Sequence, residues 1–179
     1  MSWTVPKTTW KTAELVTAAA MNLYLRDNLN CVGDHLAFST WAPALAITSG
    51  TTAPNLGASP IQSGSWIRVG TTTNGLVHAS CQIRFGTSGT AAGTGIYTVS
   101  LPLAMSSSDA ARQHVLGGGA IYDASAADTH HVIAVQHSSA VCKLKYTSTG
   151  STETWVTGAA PFAFASSDQI HLDLHYEIR

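Results

Sequence analysis

The chain has 179 residues, with 10 Asp and Glu against 9 Lys and Arg, a formal net charge of −1 and only 11% charged residues, where an average globular protein has about 25%. That balance excludes a basic nucleic-acid footprint and a polybasic membrane anchor, and an apolar share of 45% excludes a disordered chain. Solubility rests instead on hydroxyls, 22 Thr and 19 Ser, and the length is that of one main domain with a short appendage.

Residues 1–10 read as an extended arm: Trp3 and Val5 alternate with polar neighbours, and Pro6 blocks a helix interior. No secretory signal is expected there, and no apolar stretch approaches the roughly 20 residues a membrane span needs, so no membrane insertion is expected. Residues 11–16 are ambiguous. A helix then follows, with Thr17 as N-cap ahead of Ala18, Ala19 and Ala20, running to about Val32 and stopping near Gly33. Ala18, Asn22, Leu25, Leu29, Val32 and Leu36 are spaced as a heptad seam, and Asn22 is the polar residue that can set register in such a seam. Two readings stand side by side. The helix lies on its own domain, or it meets its copies in an oligomer, for which Trp3, Trp10, Asn22, Leu25, Leu29 and Val32 are the candidate attachment residues.

After Trp41 the texture changes to short alternating runs separated by Gly-, Thr- and Ser-rich turns. Strands are expected at 44–48, 65–69, 76–85, 95–101, 115–123, 131–137, 141–147, 154–157 and 169–178. Val77, Ala79, Cys81, Ile83 and Phe85 share one face and His78, Ser80, Gln82 and Arg84 the other. Leu172, Leu174 and Tyr176 likewise oppose His171, Asp173 and His175. The expected fold is mainly β, an antiparallel, jelly-roll-like sandwich of two sheets preceded by the arm and one helix. Its core should hold Ile83, Phe85, Tyr97, Val99, Leu101, Ile121, Ile133, Val135, Leu172 and Leu174. The chain thus divides into an attachment and oligomerisation segment, 1–36, and a β-sandwich domain, 41–179, with loops 70–75, 87–93 and 148–151 as outward tips.

Catalytic constellations are absent. No GxSxG, HExxH, Walker loop or dinucleotide fingerprint occurs, and the glycines at 93–95 and 117–119 read as turns or bulges within strand-rich sequence. Cys31, Cys81 and Cys142 form no CxxC and read as reduced, buried thiols of a protein folded in a cytoplasm. Among eight histidines, His130 and His131 point to opposite faces of a strand, and His171 and His175 lie about 13 Å apart along theirs. A shared metal would need a neighbouring strand or a symmetry axis. No catalytic residue, metal or cofactor is therefore expected. Trp66, Tyr122, Tyr146 and Trp155 are candidates for contact with a glycan or a partner, ordinary packing being the competing reading.

One stretch carries a resemblance. Trp10, then Ala13-Glu14, Thr17-Ala18, Asn22 and Arg26-Asp27-Asn28-Leu29 resemble the opening of many tailed-bacteriophage structural proteins: a Trp, a GE-x-x-T-A phrase, then N-x-x-x-R-D-N-L. Ala13 stands where that phrase has glycine. Phe85-Gly86, the run from Gly93 to Pro102 and the final Tyr176-Glu177 resemble trimeric jelly rolls of phage fibres and decoration proteins. The resemblance implies a non-enzymatic virion protein, made in the host cytoplasm, forming a homotrimer that docks on other virion proteins at the tail tip or fibre and touches host-surface glycans. It also admits a capsid decoration or head-fibre protein. A lectin-like carbohydrate-binding module is the reading outside that family.

Overall fold

A computed structural model describes residues 17–70, 74–105, 114–148 and 152–178. Trp3, Trp10, the arm and the tips of two expected loops, 71–73 and 149–151, lie outside the described residues.

The helix begins where its cap was expected. Thr17 is extended, and its hydroxyl accepts from the amide of Ala20 at 3.2 Å. Three pieces follow without a break: α1 (Ala18–Met21), a π turn (Asn22–Arg26) and α2 (Asp27–Leu36). Two expectations are corrected here. The helix passes Gly33 and ends only at Ala37, whose backbone is extended; an interior glycine costs about 1 kcal/mol, too little to stop a helix continued on both sides. The seam is also not one regular heptad, because the wider π turn interrupts it between Asn22 and Arg26.

Ten strands follow: β1 (Ser39–Trp41), β2 (Leu45–Thr48), β3 (Ile61–Gly70), β4 (Gly75–Arg84), β5 (Ile96–Ser100), β6 (Val115–Asp123), β7 (Asp128–Gln136), β8 (Val141–Thr147), β9 (Glu153–Trp155) and β10 (Gln169–Ile178). All pair antiparallel. The order is β1-β3-β4-β10-β6-β7-β8-β5-β2, with β9 beside β8. The protein is mainly β, and the two layers of its sandwich are parts of one continuous sheet that curls back on itself. The curl is visible in the core. Phe85, just after β4, and Tyr97, in β5 far along the order, both stack on Phe164, with ring centroids 5.4 and 5.0 Å away. The Tyr176 hydroxyl of β10 likewise donates to the Leu103 carbonyl beyond β5, at 3.0 Å.

Alternation dictates what the curl encloses. Val77, Ala79, Cys81, Ile83 and Phe85 are buried, as are Ile170, Leu172, Leu174, Tyr176 and Ile178, whereas His171, Asp173, His175 and Glu177 of β10 face outward and are exposed. In β7 one core expectation is corrected: Ile133 is half-buried, while its neighbours Val132 and Ala134 are buried. β6 lies so close to β10 that a Cβ on Gly119 would fall 1.9 Å from the His171 carbonyl oxygen. The glycine run at 117–119 is therefore a requirement of strand packing, with a bulge between Val115 and Gly117. Asp168 locks the base of β10. Its carboxylate accepts from the amides of Ala124, at 2.9 Å, and Ala165, at 2.6 Å, and its carbonyl accepts from the Phe85 amide at 2.9 Å.

Candidate functional site

Among the helix side chains that the structure describes, the large apolar ones face outward. α2 packs beside β3, yet the only buried side chain among those described in the helix is Asn28. Met21, Leu23, Leu25, Leu29 and Val32 are exposed, Leu29 to 61%. Met21, Asn22, Leu25, Arg26, Leu29 and Asn30 line an open groove along this outer side. Four of the candidate attachment residues, Asn22, Leu25, Leu29 and Val32, are therefore solvent-facing within one chain. A helix that simply covered its own domain would bury the leucines and expose the asparagine.

Further large apolar residues are exposed just before β1 and on the sheet. Phe38 leads directly into β1 and is 66% exposed. β1 pairs with β3 at Ser39↔Trp66, and β3 pairs with β4 at Val69↔Leu76. Val69 and Leu76 are exposed as well, on the face opposite the buried Val77. Helix and sheet thus each present large apolar residues to solvent, Met21, Leu25, Leu29 and Val32 on the one and Val69 and Leu76 on the other.

The four aromatic candidates are not brought together. Trp66 and Tyr146 pack against the core from the inner side. Tyr122 lies outward on β6, opposite Gln169. Trp155 lies on β9, with the ammonium groups of Lys143 and Lys145 at 5.3 and 4.7 Å from its ring centroid. Lys145 also pairs with Glu153 at 3.2 Å. His131, Lys145 and Glu153 line a small hollow next to Trp155, the outward polar and aromatic patch of this half of the sheet.

The histidines divide by face, as their spacing requires. His130 turns toward Phe162 and Tyr146, with centroids 5.6 and 6.4 Å away, and His131 is exposed on the opposite face. His171 bonds Gln169 at 3.0 Å, and Gln169 in turn accepts from Gln82. On the same outer face the register places His175 of β10 directly opposite His78 of β4, with Nδ1 of His78 against Nε2 of His175. The sequence reading missed this pair, whose members are separated by 97 positions and meet only through the β4–β10 ladder. Among the described residues no group of three or more His, Cys, Asp or Glu converges on one point, and no helix is long and apolar enough to cross a membrane.

Burial sets the ionisation of the interior. The thiols of Cys81 and Cys142 are each pushed up to about 12 by desolvation. Desolvation also raises the Asp168 carboxyl above its ordinary value, against the two amide bonds that pull it down. Asp123, which caps the β6–β7 turn, is lowered first by the Ser125 hydroxyl and then by the amides of Ala126 and Ser125. His137 is lowered by desolvation and then by Lys143.

Comparison with protein-family models, with curated proteins and with solved structures finds no match to this chain.

Proposed function

We propose that this chain is a non-enzymatic structural protein of a tailed-bacteriophage virion. In this reading it assembles as a homotrimer through the outward face of its N-terminal helix, with the β-sandwich projecting from the attachment point at the tail tip or fibre. The observation that carries the reading is the outward apolar stripe of the helix, Leu25, Leu29 and Val32, all exposed within one chain. A sequence keeps three large apolar residues on one outer stripe at a cost in solubility, and that stripe is useful when it is covered by copies of itself. Burying one such side chain stabilises by about 1.5–3 kcal/mol, so the stripe of each subunit contributes several kcal/mol to association. Many weak contacts along a virion then act together as lasting attachment. The phage-like phrase supports the same placement, since Trp10 to Leu29 covers the helix that carries the stripe.

Host-surface contact falls, in this reading, to the outward sheet face and its loops. The hollow lined by His131, Tyr146 and Glu153, with Trp155 opposite Lys145 in the β8–β9 ladder, offers the aromatic and hydrogen-bonding groups that a sugar ring needs, whereas Trp66 packs against the core.

The experiment is incorporation. Phage assembled with a chain lacking residues 1–36 should contain none of it, although the truncated β domain folds. Labelling of the complete chain at the tail end supports the tail placement; labelling over the head places it as a capsid decoration or head-fibre protein instead. A chain that binds a glycan array, stays monomeric and labels no virion is a lectin-like module and contradicts the proposal.

A further inference from the structure

We infer that His78 and His175 form a two-histidine site for a borderline divalent transition metal of the zinc, nickel or copper class. The two residues are direct register partners on neighbouring strands. Their rings are 4.3 Å apart between centroids and tilted by 52°, and a nitrogen of each faces the other. Nδ1 of His78 and Nε2 of His175 thus already face each other, and rotation of the rings about their side-chain bonds would open the space for an ion that binds each nitrogen at about 2.0–2.1 Å. Imidazole nitrogen is the donor these metals select, whereas magnesium and calcium take oxygen.

The surroundings suit a cation. Asp173 and Glu177 flank His175 two positions away on the same exposed face of β10. Ser80 and Leu76 flank His78 on β4, and Ile67 of β3 lies opposite it. On the far side of β10, Gly118 of β6 stands opposite Asp173 and Gly117 opposite Leu174, which leaves the Asp173 side of His175 uncrowded. With two protein donors and an open face, the remaining coordination positions are left to water or to a ligand from another molecule. Such a site is labile and accessible, unlike a closed structural zinc centre. It is independent of the helix face and of the assembly assigned to it.

Zinc chloride titrated into the full-length chain at neutral pH tests the site by calorimetry. The expected result is one zinc per chain at micromolar affinity. His78→Ala and His175→Ala should each lose it, and His171→Ala should retain it. Should either substitution prevent folding, nickel added to the unsubstituted chain serves instead: it should broaden the ring resonances of His78 and His175 before those of His131 or His171. Absence of zinc uptake, uptake unaffected by both substitutions, or broadening that starts at other histidines overturns the inference.

Discussion

In β10, Ile170, Leu172, Leu174, Tyr176 and Ile178 turn into the sandwich while His171, Asp173, His175 and Glu177 meet solvent. Among the described side chains of the helix at 18–36 the arrangement is the opposite: Asn28 is buried while Leu25, Leu29 and Val32 face out. The sheet has satisfied its hydrophobic face within one chain, because it curls until Phe85, Tyr97 and Phe164 meet. Leu25, Leu29 and Val32 of the helix are left uncovered within one chain. In the function proposed above, stability resides in the contacts of the sheet and association in those outward helix residues. Substitutions in the two regions should therefore separate folding from assembly.

The largest effect belongs to the closed core. Phe85 is fully buried and stacked on Phe164, so Phe85→Ala should cost about 3–5 kcal/mol in denaturant unfolding, a large part of the roughly 5–15 kcal/mol a domain possesses. An unchanged unfolding midpoint would mean that the curl is not closed where Phe85 and Phe164 meet.

Asp168 comes next. Asp168→Ala removes the acceptor of the part-buried amides of Ala124 and Ala165 and should cost roughly 1–3 kcal/mol. The pH dependence has a definite sign. Burial raises this carboxyl in the folded state, so the folded chain binds the proton more tightly than the unfolded chain. The stability that proton contributes is present below the ordinary carboxylate value and is lost as pH rises through the raised one. Denaturant unfolding of Asp168→Asn against the parent, across that window, should show the parent losing stability relative to the variant as pH increases; a difference that does not change with pH would contradict the assignment.

The smallest effect is kinetic and tests the interior of the sheet alone. With thiols held near 12, Cys81 and Cys142 should resist alkylation in the native protein at mildly alkaline pH and react fully on unfolding, as read by peptide mass spectrometry. Rapid native labelling of either would show that the sheet opens locally.

Local pattern made the sheet legible and left its assembly obscure. The bounds of β6, β8 and β10 coincide with those expected, because each alternates or runs apolar between clear turn residues. β1 was missed: Ser39-Thr40-Trp41 is too short to show a period, and its strand character comes from pairing with β3. Ile133 was misplaced because Val132, Ile133, Ala134 and Val135 are all apolar, so alternation cannot choose a face. The site was harder still. That Leu25 and Leu29 share a stripe is written in their spacing, but which way the stripe points depends on how α2 meets β3. Trp66 and Trp155 look alike in sequence, and only the register sends one into the core and the other outward. His78 and His175 become neighbours only when β4 and β10 pair.

The contrast between helix and sheet reduces to a mass measured twice. Light scattering of the purified chain at micromolar concentration should give three times 18.7 kDa. Leu29→Asp, a residue 61% exposed within one chain, should give a folded monomer, because the charge is tolerated by water and excluded from an apolar contact between chains. A parent chain that is itself monomeric, or a Leu29→Asp chain that keeps the trimer mass, would contradict the account: the outward leucines would then not be the surface through which this protein assembles.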